Sequence, residues 1–287
     1  MENILSETKF LMKKYSITAN KNLGQNFLID DETVNEIVES ANISDKDLVI
    51  EIGPGLGTLT SRLLEKAKKV IAIELDDRMI KILNDRFSIY NNFELINEDV
   101  LKVNLKELIA ENKTECNNVK IVANLPYYIT TPIIMKLLEE RLEIESITVM
   151  IQKEVADRIT AIPGEKNSGA ITYSVYYYAV PSEICFVSKT CFIPSPEVDS
   201  EVIKLDIRKE PAISLKDEEL FFKIIKASFM QRRKTLLNGL LNGGIIKNKE
   251  EGKILLDKLG LQENIRGENL SIEQFAMLAD EIKIIYK

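Results

Sequence analysis

The sequence predicts an α/β fold, with a mostly parallel sheet flanked by helices and a small all-helical C-terminal domain. Two observations predict it. Between residues 48 and 152, short apolar runs rich in β-branched residues alternate with stretches of helical periodicity, and such continuous runs are typical of parallel strands buried on both faces. After Pro211 only helical periodicity remains. At 287 residues the chain is long enough for two domains of ordinary size.

The predicted sheet consists of short strands, each followed by a loop and a helix. The strands are predicted at residues 48–52, 69–75, 92–96, 119–125 and 146–152. The helices between them are predicted at residues 58–67, 77–87, 104–112 and 131–140. This alternation favours parallel strands joined by helical crossovers.

The next part of the chain is predicted to be mostly helical, from residue 153 to residue 180, although YSVYYYAV (173–180) is also compatible with a strand. The tyrosines in it are interpreted as packing residues rather than as a stacking platform. Two late strands are expected in 183–189 and 200–209, as antiparallel additions at one edge of the sheet.

A linker, KEPAIS at 209–214, divides the chain into two predicted domains. Residues 1–210 form the α/β domain, and residues 211–287 form the helical domain. Helices of the second domain are predicted at residues 217–229, 232–242, 249–259 and 272–285.

Composition excludes several kinds of chemistry. The chain has no histidine, which excludes triads with an imidazole base and zinc sites that depend on histidine. Cys116, Cys185 and Cys191 show no CxxC spacing, so we expect reduced thiols and no metal site. No apolar run has the length of a membrane helix, and the first residues do not resemble a secretory signal, so we expect a cytoplasmic protein.

Positive charge is concentrated in one part of a chain whose net charge is −7. Residues 220–249 contain seven basic residues and no acid, including the run Arg232, Arg233 and Lys234. Because electrostatic binding depends on the local field, this segment is predicted to bind the phosphates of a nucleic acid. The alternative is a solvated helix face without a partner.

A glycine-rich loop, G-P-G-L-G at residues 53–57, follows the first strand of the predicted sheet. Gly53 and Gly55 let the backbone turn sharply and approach a ligand at the carboxyl end of a strand, where open α/β sheets bind ligands. Glu74 ends the next strand, where a carboxylate can accept hydrogen bonds from both hydroxyls of a ribose. The loop and the acid together predict a cofactor that contains a nucleoside.

The acids around this loop favour a cationic cofactor. A dinucleotide fingerprint would have glycine where Thr58 stands. Glu51, Glu74 and Asp99 would repel a pyrophosphate but attract a sulfonium that carries an amino group. Asp99 can also accept a hydrogen bond from the amine of an adenine, although a turn or N-cap role is equally compatible. The pattern therefore favours S-adenosylmethionine over NAD.

The fourth strand ends in Asn124-Leu125-Pro126-Tyr127, the N-x-P-Y pattern of enzymes that methylate exocyclic amines of bases. The Asn124 side-chain oxygen and the Leu125 carbonyl can accept the two protons of adenine N6, which aims the nitrogen lone pair at the methyl donor. Pro126 stiffens the turn, and Tyr127 offers an aromatic face to a flipped-out base. The alternative is an ordinary turn that contains a proline.

Two more segments are predicted to complete the site. NLGQNFL at residues 22–28 is expected to cover the cofactor through the side chain of Asn26 and through Leu28, although alone it is compatible with a plain loop. In FIPSPEVDS at residues 192–200, Phe192 is predicted to face the base opposite Tyr127, or else to lie in the core.

These motifs together resemble the ribosomal RNA adenine N6,N6-dimethyltransferase family, in particular its bacterial small-subunit (16S) type. The resemblance covers nearly the whole chain, in the blocks NLGQNFL, EIGPGLGTLT, IELD, NEDVL, NLPYYIT, IQKEVADRI, FIPSPEVDS and SFMQRRKTLLNGL. It implies a class I S-adenosylmethionine-dependent methyltransferase with a Rossmann-like sheet. It also implies dimethylation of two adjacent adenosines near the 3′ end of 16S rRNA, within the small (30S) subunit or its precursor.

The resemblance assigns roles to individual residues. It implies that the cofactor is bound by Asn26, Leu28, Gly53, Gly55, Glu74, Asp99 and Asn124. The target base would lie between Tyr127 and Phe192, and its N6 would be held by Asn124 and Leu125. Tyr128 stands where many members of the family have asparagine. We further expect a monomer that needs no metal or membrane, and the resemblance implies a role in subunit biogenesis.

Three alternatives stay open at this point. A 23S rRNA adenine methyltransferase of the resistance type would share the chemistry, but IQKEVADRI and QRRKTLLNGL favour the small-subunit type. A non-enzymatic RNA-binding assembly factor would keep the fold without catalysis, but the intact NLPY and acidic positions argue against it. An NAD oxidoreductase is least favoured, because no hydride-relay residues are evident.

Overall fold

The structure of the protein is a computed structural model that describes residues 3–20, 23–231 and 233–285. The chain divides into two units, each made of two stretches of sequence. Unit 1 consists of Met1–Ala156 and Pro181–Ile207, and unit 2 of Asp157–Val180 and Arg208–Lys287. None of the described helices is long and apolar enough to cross a membrane.

Unit 1 is built around a seven-stranded sheet in the order β4-β3-β2-β5-β6-β9-β7. The strands of the protein are β1 (Phe27–Leu28), β2 (Leu48–Ile52), β3 (Lys69–Glu74), β4 (Phe93–Asn97), β5 (Val119–Asn124), β6 (Ser146–Gln152), β7 (Ala179–Val187), β8 (Phe192–Ile193) and β9 (Ser200–Ile207). The sheet pairs from β4 to β6 are parallel, and β9 lies antiparallel to β6. The five predicted sheet strands are thus confirmed, as is the late antiparallel addition of β9.

Most of the helices agree with the predicted ranges. The helices are α1 (Ile4–Lys14), α2 (Asp31–Ser40), α3 (Thr58–Lys66), α4 (Asp77–Phe87), α5 (Leu105–Asn112), α6 (Thr130–Glu139), α7 (Lys153–Thr160), α8 (Ala170–Tyr178), α9 (Glu218–Phe229), α10 (Leu236–Asn242), α11 (Lys249–Lys258) and α12 (Ile272–Ile285). However, the helix predicted at residues 232–242 begins at Leu236, and α1 and α2 were not predicted. The helices α3 to α6 are the crossovers that parallel pairing requires.

The strand order creates a switch point beside β2. From this central strand the chain goes to β3 and β4 on one side, and afterwards to β5 and β6 on the other. The loops after β2, β3 and β5 therefore meet at one edge of the sheet, where open α/β sheets bind ligands. All five residues of β2 are buried, including Glu51, because helices cover both faces of such a sheet.

A small second sheet lies next to this edge. It consists of β1 and β8, two antiparallel strands of two residues each, in which Phe27 pairs with Ile193 and Leu28 with Phe192. Strands this short have no hydrophobic periodicity of their own, and the sequence predicted only a loop and a proline-stiffened turn here.

Unit 2 differs from the predicted helical domain, because it includes residues 157–180. The cause is Tyr173 of α8, a fully buried side chain whose ring packs against Phe229 and Phe275. Its hydroxyl donates a hydrogen bond of 2.6 Å to the Leu270 carbonyl. Unit 2 therefore includes a stretch that the sequence assigned to the first domain. The interpretation of these tyrosines as packing residues is confirmed at Tyr173.

Candidate active site

A single cavity gathers the loops that follow β2, β3, β4 and β5, together with the segment around β1. It is lined by residues 23–28, 51–56, 58, 59, 73–75, 98–100, 124–129 and 133. Most of the residues selected from the sequence lie around it: Asn26, Leu28, Gly53, Gly55, Glu74, Asp99, Asn124, Leu125, Pro126 and Tyr127. All of these belong to unit 1.

The glycine loop after β2 has the conformation that only glycine adopts readily. Gly53, Gly55 and Gly57 have φ values of +68°, +58° and +85°. A Cβ atom on Gly57 would lie 2.4 Å from Cε2 of Phe87. A larger residue at position 57 would therefore require the Phe87 ring to move. The loop therefore passes close over α4 and turns its backbone towards the cavity.

Glu74 is held against this loop by the backbone. Its Oε2 accepts a hydrogen bond of 3.1 Å from the Gly55 N–H, and its Oε1 accepts bonds of 2.8 Å from the N–H groups of Leu75 and Asp76. Burial raises the pKa of the Glu74 carboxyl, while these three donors act to lower it. With 8% of its surface exposed, the carboxylate is fixed in orientation and still reachable from the cavity.

Glu51 is a second acid in the cavity wall, and it is 1% exposed. The Thr60 hydroxyl donates a bond of 2.6 Å to its Oε2, but its Oε1 has no hydrogen-bond partner in the described part of the chain. Burial raises the pKa of this carboxyl to about 8. A buried acceptor without a donor is costly, and the ammonium of a bound amino acid group would supply the missing donor.

The acids in the wall fit a cationic ligand better than an anionic one. Besides Glu51 and Glu74, the wall includes Glu98 and Asp99. The Asp99 carboxylate accepts a 3.0 Å bond from the Leu101 N–H, so the predicted turn role is present, and the residue also faces the cavity. The residues present are thus compatible with S-adenosylmethionine, which carries a sulfonium and an ammonium group.

The NLPY segment forms another part of the cavity wall, at the end of β5 next to the glycine loop. The Asn124 Nδ2 donates to the Asn26 carbonyl at 3.4 Å, which leaves the side-chain oxygen as an acceptor. The Leu125 N–H donates to the Met150 carbonyl at 3.1 Å, and the Pro126 carbonyl accepts from the Ile129 N–H at 3.2 Å. The turn is therefore held from β6 and from its own 3₁₀ turn, Tyr127–Ile129.

Tyr127 is half-buried, and its hydroxyl lies 2.6 Å from the Ser200 Oγ at the start of β9. Burial raises the pKa of the Tyr127 phenol, so the phenol is neutral at physiological pH. The hydroxyl contact fixes one end of the ring, and the ring itself lines the cavity.

Comparison with known proteins assigns the chain to a family. The family model described as ribosomal RNA adenine dimethylase matches residues 16–283. The chain belongs to the ribosomal RNA adenine dimethylase family. It is therefore an S-adenosylmethionine-dependent rRNA adenine dimethyltransferase, as the resemblance of its motifs implied.

Curated relatives of this dimethylase match along nearly their whole length. The ribosomal RNA small subunit methyltransferase A of Clostridium botulinum is 51% identical over 273 residues, which are 95% of this chain and 97% of the relative. The protein of the same name from Bacillus pumilus is 48% identical over 280 residues, 96% of this chain and 95% of the relative.

Solved structures confirm the predicted class I methyltransferase fold. A dimethyladenosine transferase from Plasmodium falciparum superposes with a TM-score of 0.72 at 28% identity, covering 90% of this chain and 98% of that one. The 23S rRNA methyltransferase ErmE superposes with a TM-score of 0.65 at 26% identity, covering 90% and 100%. The 23S enzyme is thus a more distant relative than the small-subunit enzymes.

Phe192 is the one predicted base contact that does not line the cavity. It is 3% exposed and belongs to the hydrophobic core of unit 1. The reason is the pairing of β8 with β1, which sets Phe192 opposite Leu28 and leaves its ring within the core. Phe192 is thus a core residue of this structure, and its contact with the base stays a prediction.

The sequence did not reveal the groups that hold the segment before β1. The Gln25 Nε2 donates to Asp76 Oδ2 at 2.8 Å, and Arg78 binds both oxygens of the same carboxylate through its Nε and Nη2. Although burial alone would raise the pKa of Asp76, the hydrogen bonds from Arg78 and Gln25 hold it below its usual value. Gln25 and Asp76 are 51 positions apart in sequence. No local sequence pattern could therefore have paired them.

Arg86 is a second residue that sequence reasoning missed. Its guanidinium donates to the Leu56 carbonyl of the glycine loop and to the Glu7 carboxylate of α1. Its Cζ lies 4.8 Å from the centre of the Phe87 ring. One half-buried cation thereby joins the N-terminal helix to the cofactor loop.

The predicted basic segment belongs to unit 2. Lys223 and Lys226 are exposed on α9, and Arg233 and Lys234 are exposed after its end. Arg232 lies outside the described residues. Among the residues that the structure describes, no group of three or more His, Cys, Asp or Glu side chains could hold a metal ion.

Proposed function

We propose that this dimethylase transfers methyl groups from S-adenosylmethionine to N6 of two adjacent adenosines in the 3′-terminal hairpin of 16S rRNA. The observation that carries the proposal is the turn Asn124–Tyr127 in the same cavity as Glu51 and Glu74. One wall thus offers acceptors for an exocyclic amine, and the other offers acids for a cationic cofactor.

On the cofactor wall, Glu74 would accept hydrogen bonds from the ribose hydroxyls, since its orientation is already held by three backbone donors. Glu51 would accept from the ammonium group through its unpartnered oxygen, and Asp99 from the adenine amine. The bound sulfonium supplies an activated methyl group, so no residue has to generate an electrophile.

On the base wall, the chain's own residues would prepare a weak nucleophile. The N6 lone pair of adenine is delocalised into the ring. When the Asn124 Oδ1 and the Leu125 carbonyl accept the two N6 protons, the nitrogen becomes tetrahedral and its lone pair points at the methyl group. Tyr127 would stack on the flipped-out base. Because the electrophile is activated, the displaced proton can leave to water afterwards, and the lack of histidine is no obstacle.

The RNA partner follows from the relatives and from the charge of unit 2. Relatives of about half-identical sequence are small-subunit methyltransferases, which favours rRNA of the 30S subunit or its precursor as substrate, in the cytoplasm. Arg233 and Lys234, together with Arg232, would bind phosphates, and the protein would act as a monomer in subunit biogenesis. Unit 1 would be catalytic and unit 2 would contact rRNA.

The experiment is to incubate the protein with undermethylated small subunits, undermethylated large subunits and labelled S-adenosylmethionine, and then to map the methylated adenosines. We expect two adjacent dimethyladenosines in the small-subunit rRNA. Label only in the large subunit would favour the 23S alternative, and binding without label would favour an assembly factor without catalysis.

A further inference from the structure

An exposed aromatic ring stands at the mouth of the cavity and has no role in the mechanism above. Tyr128 follows Tyr127 in the 3₁₀ turn, lines the cavity, and is 55% exposed. Aromatic rings usually bury most of their surface. A ring that stays half in solvent at the entrance of a substrate cavity is therefore available to a ligand.

The neighbouring residues support this ring without covering it. A 3₁₀ turn has three residues per turn, so Tyr127 and Tyr128 point about a third of a turn apart. Tyr127 is directed to Ser200, whereas Tyr128 lies against Gly24, where an added Cβ would be 3.2 Å from its Cδ1. One edge of the Tyr128 ring is thus held in place while much of the ring faces solvent.

We propose that Tyr128 is a subsite for the base adjacent to the target adenosine, and that it binds this base by stacking. The proposal rests on the proposed function, in which one base enters the cavity. Flipping a base out of its strand leaves the face of the next base without its stacking partner. A supported aromatic ring at the entrance replaces that partner, and every base has a face on which it can stack.

The test compares Tyr128→Ala and Tyr128→Phe with the wild type on undermethylated small subunits. Loss of a base–aromatic stack should raise KM for the subunits by about 5- to 150-fold in Tyr128→Ala, with little change in the single-turnover rate at saturation. Tyr128→Phe keeps the ring and should behave as the wild type. Phe186→Ala is the matched control, because Phe186 is 59% exposed on β7 and does not line the cavity.

A second substrate tests whether Tyr128 contacts the base next to the target. In subunits whose rRNA has uridine in place of one of the two adjacent adenosines, the base next to the target stacks more weakly. The KM penalty of Tyr128→Ala should therefore be smaller on these subunits than on normal ones. An equal penalty on both, or no penalty on either, would overturn the proposal.

A measurement of cofactor affinity distinguishes stacking by Tyr128 from a role of its ring in holding the segment around Gly24. Calorimetry should give the same S-adenosylmethionine affinity for Tyr128→Ala and the wild type. A loss of cofactor affinity that matches the rise in KM would mean that the ring only supports Gly24 and the segment that covers the cofactor. Failure of the proposed function is a different result, in which the wild type itself leaves the small-subunit adenosines unmethylated.

Discussion

On the cofactor side of the cavity, which we define as the glycine loop with Glu51, Glu74 and Asp99, the protein orients its own groups. Glu74 accepts three backbone hydrogen bonds before any ligand is present. On the base side, which we define as Asn124–Tyr128, the Asn124 amide is oriented by a 3.4 Å bond and Tyr127 through its hydroxyl. The cofactor side is thus held mainly by backbone groups, whereas the base side is held by single side-chain contacts.

Variants of Phe192 test whether this residue belongs to the base side of the cavity or only to the core. Because its ring is in the core, Phe192→Ala should lower the free energy of unfolding by about 3–5 kcal/mol, measured by chemical denaturation. Phe192→Leu, which keeps most of the volume, should cost less than about 1.5 kcal/mol and leave KM for the small subunit near the wild-type value. A well-folded Phe192→Leu variant with a large rise in KM would show that Phe192 contacts the target base.

Replacing Asn124 should lower the rate of methyl transfer much more than the affinity for the cofactor. Loss of a preorganised polar contact typically lowers turnover by 100-fold or more, about 2.7–4 kcal/mol, and we expect this for Asn124→Ala in single-turnover methylation with the thermal midpoint unchanged. Asn124→Asp keeps an oxygen acceptor and should retain more activity. A normal rate in Asn124→Ala would mean that NLPY is only a turn.

Glu74 should show the opposite pattern. Removing a charge-assisted hydrogen bond costs about 1.5–3 kcal/mol, so Glu74→Ala should weaken S-adenosylmethionine binding by roughly 10- to 150-fold. Calorimetry on the folded variant measures this directly, and KM for the subunit should stay unchanged at saturating cofactor. Glu98→Ala is the control, since Glu98 is an exposed acid of the same wall; an equal loss there would point to general electrostatics.

Replacing the basic residues should weaken RNA binding without changing either side of the cavity. Replacing Arg232, Arg233 and Lys234 with Gln should weaken subunit binding and flatten the slope of log affinity against log salt by about two, at ~0.7 per phosphate contact. Arg233 and Lys234 lie between α9 and α10, so their replacement leaves the residues of both helices unchanged. A double Gln variant of Lys253 and Lys258, which pair with acids in unit 2, should keep the slope. An unaltered slope in the triple variant would favour a solvated face.

Glu51 should make stability depend on pH. Because burial raises the pKa of its carboxyl in the folded protein from 4.5 to about 8, the folded state keeps a proton that the unfolded state releases. The free energy of unfolding should therefore fall as pH rises from about 5 to about 8, and Glu51→Gln should remove this part of the dependence.

Cofactor binding tests the same carboxyl. If the ammonium of the cofactor pairs with Glu51, binding should release up to one proton, which calorimetry in buffers of different ionisation enthalpy would detect. A proton count of zero between pH 6 and pH 8 would contradict the pairing.

Local signals were enough for most of the sheet and of the site. The β-branched runs of β2, β3 and β5 and the loops that follow them are contiguous in sequence, so Gly53, Glu74 and Asn124 could be placed at one edge by topology alone. Phe192 could not, because its position depends on a two-residue pairing with Leu28 across the chain. The assignment of α8 to unit 2 likewise depends on the contact of Tyr173 with Phe275, 102 positions away in sequence.

Unit 1 is interrupted in sequence by residues 157–180, and this has a consequence for the order of synthesis. Domains form from the N-terminus as the chain emerges, so β2 to β6 and their loops are available early, whereas β8 and β9 emerge only after the first stretch of unit 2. A nascent chain that has reached Ala156 carries Glu74 and Asn124. It still lacks Ser200, the partner of Tyr127, and Phe192, the partner of Leu28. The base side of the cavity is therefore finished last.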